Sequence, residues 1–247
     1  MAQPSAKIRL FVGAPLGAEA DLALSREQAH YLFSVMRLRE GAPVLVFNGR
    51  DGEWLARVAE GDRRGGTLAC REPTRPQSEP PDLWLAFAPV KKARTDFIVE
   101  KATELGCRRI VPVLTRHTQA ERVNTARLRA HAVEAAEQSG RLTVPEVAGP
   151  VTLAGLLGGA QEAAPRRVLF CDESGAGQPA LAALDGAAPG PWTVLIGPEG
   201  GFDGDERARL AAHPHAVAVS LGPRILRADT AAVAALALWQ AALGDSR

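Results

Sequence analysis

Five short, predominantly apolar runs, each separated from the next by stretches with helical patterning, constrain this chain more than any other feature. They are residues 83–88 (LWLAFA), 110–114 (IVPVL), 168–171 (VLFC), 192–196 (WTVLI) and 216–219 (AVAV). Runs of this kind suit strands buried on both faces, and strands alternating with helices predict an α/β fold around a largely parallel sheet. Between the first two runs, Thr95 or Asp96 can open a helix with Ile98, Ala102 and Leu105 on one side and Gly106 as its stop. Residues 124–139 predict a longer helix with Leu128, Ala132 and Ala135 on its inner face. The last helix, 230–243, is apolar almost all round, which calls for burial in a core or at a subunit interface.

The first 75 residues have a different rhythm. Residues 7–12 and 44–47 read as strands, and the turn signals Asn48-Gly49 and Asp51-Gly52 follow the second. Residues 53–58 and 67–70 alternate with period two, and Ser25 can cap a short helix through His30, Tyr31, Val35 and Met36. Several short strands with little helix predict a small β-barrel. Residues 72–81 (EPTRPQSEPP) are rich in proline and polar side chains and read as the linker. The expected organisation is a β-barrel over residues 1–75 and an α/β domain over 76–247.

Composition narrows the functional classes. Cys70, Cys107 and Cys171 lie far apart with no CxxC pair, which argues against a zinc site and a disulfide framework and fits a reducing cytoplasm. No metal is expected. The start of the chain lacks the pattern of a secretion signal, and no apolar stretch is long enough for a bilayer, so no membrane partner is expected. The net charge is only +1, but residues 91–131 carry ten basic side chains against four acids, Asp96, Glu100, Glu104 and Glu121. That surplus either attracts a phosphate backbone or belongs to solvated helix faces.

Two loops can carry chemistry. The run 192–196 ends abruptly in Gly197-Pro198-Glu199-Gly200-Gly201, where glycines let a ligand approach the backbone. Ligands of open α/β sheets gather at the carboxyl ends of the strands. The loop is neither a GxGxxG nor a Walker A sequence, and the plainer reading is a strand-to-helix turn with Asp203 or Asp205 capping the next helix. The second loop, SLGPRILRADT from Ser220, follows the last apolar run. If the two parent strands are adjacent, Ile196, Leu221, Ile225 and Leu226 can line an apolar slot. Arg224 and Arg227 either face a ligand or form surface ion pairs, for instance with Asp229.

The pair IGPEGGF and SLGPRILRADTA resembles the signature of the SPOUT methyltransferases, and more narrowly that of the bacterial small-subunit ribosomal RNA uridine N3-methyltransferases. HYLFSVMRLREGAPVLVFNG resembles the PUA-like RNA-binding barrel of that family. KKARTDFIVEKATELGCRRIVPVLTRHT and EAAEQSGR resemble the opening of its methyltransferase domain. The family's usual LRTET is LRADT here, with Ala228 and Asp229 in place of Thr and Glu. The resemblance implies a C-terminal trefoil knot, S-adenosylmethionine as cofactor, a homodimer, and 16S ribosomal RNA within the small subunit as substrate. It implies a cofactor site at Ile196, Gly197, Pro198, Glu199, Gly200, Leu221, Gly222, Ile225, Leu226 and Arg227.

Uridine N3 carries a proton at neutral pH, so methyl transfer to it needs a base or a positive group that stabilises the uridine anion. Arg227 and Arg224 suit the second role, since arginine stays charged and presents planar donors. Asp229 is expected to orient Arg227, with a role as base the alternative. Glu199 either accepts from ribose hydroxyls or caps the following helix. Candidate RNA contacts are Lys91, Lys92, Arg94 and Arg116, with Arg9, Arg37 and Arg39 from the small domain. Gln138 and Arg141, at the end of the long helix, either reach the substrate or form a helix C-cap. The five histidines are expected to be structural or solvent-exposed. The competing readings are a ribose 2′-O-methyltransferase and an RNA-binding assembly factor, with a nucleotide hydrolase further off.

Overall fold

The computed structural model describes residues 6–118, 122–158, 165–173 and 177–246; Glu121 of the basic stretch lies outside them. The chain forms two compact units, Met1–Glu79 with Ala136–Val144, and Pro80–Ala135 with Pro145–Arg247.

The first unit contains β1 (Arg9–Phe11), β2 (Asp21–Ala23), α1 (Arg26–Ala29), a π-helical turn His30–Val35, β3 (Pro43–Phe47), β4 (Glu53–Asp62) and β5 (Gly65–Arg75). The five strands form one sheet in the order β1-β3-β4-β5-β2. Leu10 from one end of that order and Leu22 from the other share a single core with Leu32, Val44, Val46 and Leu68, so the sheet folds over its own apolar face. Ser25 opens α1 with a capping box, its Oγ accepting from Gln28 N and Gln28 Oε1 accepting from Ser25 N. Part of the expected linker is strand, because β5 runs on to Arg75 with Pro73 opposite Trp54. β2 pairs only with residues 67–69, so Pro73 lies where β5 has one neighbour and a missing N–H is tolerated.

The second unit begins with β6 (Leu83–Phe87), α2 (Lys92–Glu104), β7 (Arg109–Leu114) and α3 (Thr125–Ser139), whose last turn belongs to the first unit. β8 (Glu146–Val147), β9 (Val151–Thr152), α4 (Leu153–Leu157), β10 (Arg167–Cys171), β11 (Gln178–Pro179) and α5 (Ala180–Leu184) follow. The chain then runs through β12 (Trp192–Ile196), α6 (Gly204–Ala212), β13 (Ala216–Ser220) and α7 (Ala228–Leu243). The strands pair in the order β11-β13-β10-β12-β6-β7-β8, with β9 also on β7, and every pairing is parallel. All five residues of β12 are buried, as its central place requires.

Ala86, Val111, Val113, Val168, Phe170 and Leu195 pack from one face of the sheet against Leu153 of α4 and Leu210 of α6. α7 packs on β12, with α2 and α5 beside it. Helix α2 starts at Lys92, earlier than its apparent caps Thr95 and Asp96 suggest. The Thr95 hydroxyl turns back instead, donating to Val90 O at 3.0 Å and accepting from Val90 N at 3.1 Å.

Candidate active site

The first candidate loop is set by local chemistry at both ends. Pro198 cannot continue the ladder of β12, and Gly201 adopts φ +69°, where a side chain would be strained. Asp203 then opens α6 through a capping box: its Oδ1 accepts from Glu206 N at 2.8 Å, and Glu206 Oε2 accepts from Asp203 N at 3.0 Å. The cap of α6 is therefore Asp203, and Glu199 is free for other work. Its carboxylate accepts from Arg94 Nη1 at 2.5 Å. His117 Nδ1 lies 3.1 Å from both Gly200 O and Gly201 O. Two carbonyl partners require that this nitrogen be the protonated one. His117 is therefore a structural histidine, and the backbone it holds is that of the first loop.

The second loop runs from Leu221 to Arg227. Ser220 Oγ accepts from Gly222 N at 3.2 Å, and Gly222 turns at φ +111°. Leu221 and Leu226 are half-buried, while Ile225 is 86% exposed. Arg224 and Arg227 are exposed and form no ion pair among the described residues. The contact expected between Asp229 and Arg227 is absent. Asp229, in the first turn of α7, places Oδ2 3.9 Å from Arg94 Nε, and its Oδ1 accepts from Thr230 N at 3.0 Å. Arg94 thus links the two loops, with Glu199 of the first on Nη1 and Asp229, in the helical turn that follows the second, on Nε.

The parent strands of the two loops are not neighbours. β10 lies between β12 and β13 and pairs with both, so its own end, Cys171, Asp172 and Glu173, is inserted between the loops. Arg207 ties this end to α6, meeting Asp172 at 3.4 Å and also Glu173. Burial pushes the Cys171 thiol up to about 12, so it stays protonated at neutral pH. The polar run that follows residues 168–171 was the one sequence signal for this third loop.

The candidate RNA contacts separate into distinct settings. Lys91 and Lys92 are exposed at the start of α2, whereas Arg94, in the same first turn, is engaged by the two carboxylates. Arg116 lies at the start of α6, its N donating to Glu206 Oε1 and its Nε 3.6 Å from Asp203. Arg9 is corrected as an RNA contact. Its Nε meets Glu53 at 2.7 Å, and its terminal nitrogens donate to the carbonyls of Ala136, Glu137 and Arg141, so four of its five N–H groups are committed. Gln138 and Arg141 belong to the segment packed in the first unit; Gln138 is exposed, and Arg141 Nη2 donates to Thr143 Oγ1. Arg37 and Arg39 are exposed in the same unit, Arg37 at φ +55°. Among the described residues no group of three His, Cys, Asp or Glu side chains can hold a metal ion.

This arrangement, with ligand-type loops at the carboxyl edge of a parallel sheet and a small separate β unit, defines a class that comparison with known proteins makes plain. Residues 77–240 match the RNA methyltransferase domain family, and residues 24–68 match the RNA methyltransferase PUA domain. A Rickettsia conorii protein named ribosomal RNA small subunit methyltransferase E is 31% identical over 93% of both chains. A Synechocystis protein of the same name is 34% identical, covering 95% of this chain and 78% of that one. The crystal structure of the Neisseria gonorrhoeae protein of that name, bound to S-adenosyl methionine, superimposes with a TM-score of 0.86 at 26% identity, over 97% of this chain and 99% of that one. The chain belongs to the ribosomal RNA small subunit methyltransferase E family of RNA methyltransferases.

Proposed function

We propose that this protein transfers the methyl group of S-adenosylmethionine to N3 of a uridine in 16S ribosomal RNA. The observation that carries this reading is Arg94 bridging Glu199 and Asp229, which joins the two motif loops into one site beside unpaired Arg224 and Arg227. The relatives named for small-subunit methylation, and the gonococcal structure with its cofactor, support the reaction class.

The residues present suit such a cofactor. Ile225 is 86% exposed beside half-buried Leu221 and Leu226, and leaving apolar surface of this kind in water is unfavourable by about 25 cal/mol per Å². An adenine ring would cover it, while the backbone groups of Gly197–Gly200 and Leu221–Gly222 would meet the polar edges. When bound, the cofactor supplies an electrophilic methyl group. Glu199, already fixed by Arg94, would accept from ribose hydroxyls. Arg224 and Arg227 would stabilise the uridine anion as N3 loses its proton, a role worth about 3 kcal/mol for one well-placed donor. Asp229 is held by Arg94 rather than by Arg227. Its carboxylate is a candidate acceptor for the N3 proton, with Arg94 as the group that orients it.

The same reading includes a trefoil knot at the C-terminal loops, the PUA-like unit over residues 1–75 as an RNA-binding domain, cytoplasmic location, and a homodimer. For the dimer, α7 offers support. Ala231, Ala232, Ala235, Leu236 and Trp239 are buried in the chain's own core, while Val233, Ala234, Ala237 and Leu238 form an apolar stripe left partly or fully exposed. A second copy would cover that stripe.

The test is methyl transfer from labelled S-adenosylmethionine to small ribosomal subunits lacking the modification, read by nucleoside mass spectrometry. Labelled N3-methyluridine is the expected product, and Arg227→Ala should reduce its rate by about two orders of magnitude. A labelled 2′-O-methyl nucleoside would overturn the acceptor. No label and no cofactor binding would leave an assembly factor, in which Ala228→Thr with Asp229→Glu should restore transfer.

A further inference from the structure

A cavity of about 440 Å³ lies where α2 and α3 begin, lined by Lys91, Lys92, Thr95, Arg122, Asn124 and Arg127 over an apolar floor. We infer that this cavity is a phosphate subsite, taking a backbone phosphodiester of the RNA strand that carries the acceptor nucleotide. The inference rests on the methyltransferase reading above and adds where that substrate is held.

Charge comes first. Four of the lining residues are cations, and no carboxylate is among them. Lys91, Lys92 and Arg122 are exposed and have no acidic partner among the described residues. Arg127 has Nη1 2.8 Å from Asp96, which leaves its other donors for a ligand. A concave, one-signed lining concentrates an anion as a flat solvated face does not.

Helix chemistry points the same way. Lys91 is the N-cap of α2 and offers no side-chain acceptor, so the first N–H groups of a 13-residue helix open on this region without a cap. Neither α2 nor α3 has an acid in its first turn. Cations at a helix N-terminus oppose the helix dipole at about 0.3–1 kcal/mol each. A sequence that sets Lys91 and Lys92 there sacrifices helix stability, and such local inconsistencies mark functional sites. An anion between the lysines and the uncapped N–H groups reconciles both with the fold.

Position completes the case. The cavity opens at the carboxyl end of β6, the strand paired with β12, and Ala88 N donates to Ile196 O at the foot of the first motif loop. Arg94, on the same turn of α2 as the lysines, reaches Glu199 of that loop. A strand anchored by a phosphate in the cavity therefore enters the site one β-strand away from the cofactor loop.

The experiment compares wild-type protein with Lys92→Ala, Arg122→Ala and their combination, and with Arg209→Ala on α6 as a remote cation. Binding to small-subunit ribosomal RNA is measured from low to moderate salt, and S-adenosylmethionine binding is measured by calorimetry. Each cavity variant should weaken RNA binding and flatten the slope of log K against log [salt] by about 0.7–0.9. The double variant should flatten it by about twice that, with cofactor affinity and thermal stability kept and Arg209→Ala unchanged. Removing a cation from a helix N-terminus should not unfold the protein, so a lost slope reports a lost phosphate contact. Wild-type RNA binding with unchanged slopes in the variants would overturn the subsite alone. A wild-type protein that neither binds RNA nor transfers methyl groups would overturn the reading on which it rests as well.

Discussion

Arg94 Nη1 lies 2.5 Å from Glu199 Oε1, and this contact makes a residue of α2 part of the loop that follows β12. Both side chains are about one-third exposed, so the pair is a fixed contact at the mouth of the site and not a buried ion pair. Arg94→Ala should raise the Kd for S-adenosylmethionine about tenfold, the loss expected of a charge-assisted hydrogen bond, with little change in melting temperature. Arg94→Lys should recover part of the affinity, because one ammonium cannot reproduce the two-carboxylate span of a guanidinium. Calorimetric titration of the three proteins checks this.

His117 supplies the other restraint on the same loop. His117→Ala removes the donor shared by Gly200 O and Gly201 O and should weaken cofactor binding roughly fivefold. His117→Asn places an amide nitrogen close to the position of Nδ1 and should restore most of the loss, whereas His117→Gln should not. A purely structural role would show in thermal stability instead, and would not separate the two amides.

In the first unit, Glu53 is the acidic centre for Arg9 and Arg75, at 2.7 and 2.8 Å. Burial alone would raise its pKa, but hydrogen bonds from Arg75 and Arg9 outweigh that effect and hold the carboxyl below its ordinary value. A depressed folded pKa means that its contribution to stability is complete above the unfolded value near 4.3 and is lost as pH falls through the folded one. Glu53→Ala leaves Arg9 buried without its counter-charge and should destabilise this unit by about 3 kcal/mol at neutral pH. Urea unfolding at pH 7 and pH 3 reads both effects, and the gap between mutant and wild type should shrink at the lower pH.

Cys171 ends the strand inserted between the motif loops, and burial raises its thiol to about 12. The thiolate is the reactive species, so native protein should resist alkylation by iodoacetamide at pH 8 at this position. Unfolding in urea should expose it to reaction at an ordinary rate. Peptide mass mapping of the labelled cysteine distinguishes the two states.

Much of this protein is decided by its sequence. The five apolar runs all became strands of one parallel sheet because runs with almost no polar side chain satisfy burial on both faces. Leu128, Ala132 and Ala135 took the inner face of α3 because helical periodicity needs no tertiary information. The family signature was equally local, since a glycine-proline turn after a strand is written in consecutive residues. What the tertiary structure decided was adjacency. Strand order brought β10 between β12 and β13, and no local pattern encodes which strand lies beside which. Side-chain partners follow from that order, so Asp229 meets Arg94 and not its sequence neighbour Arg227. Arg9 is absorbed by Glu53 and three carbonyls more than a hundred residues away, and His117 is drawn into the site by a loop over eighty residues further on. Periodicity and turn chemistry act over a few residues, whereas a charged side chain pairs with whatever the fold brings within hydrogen-bonding distance, and only the folded chain fixes that.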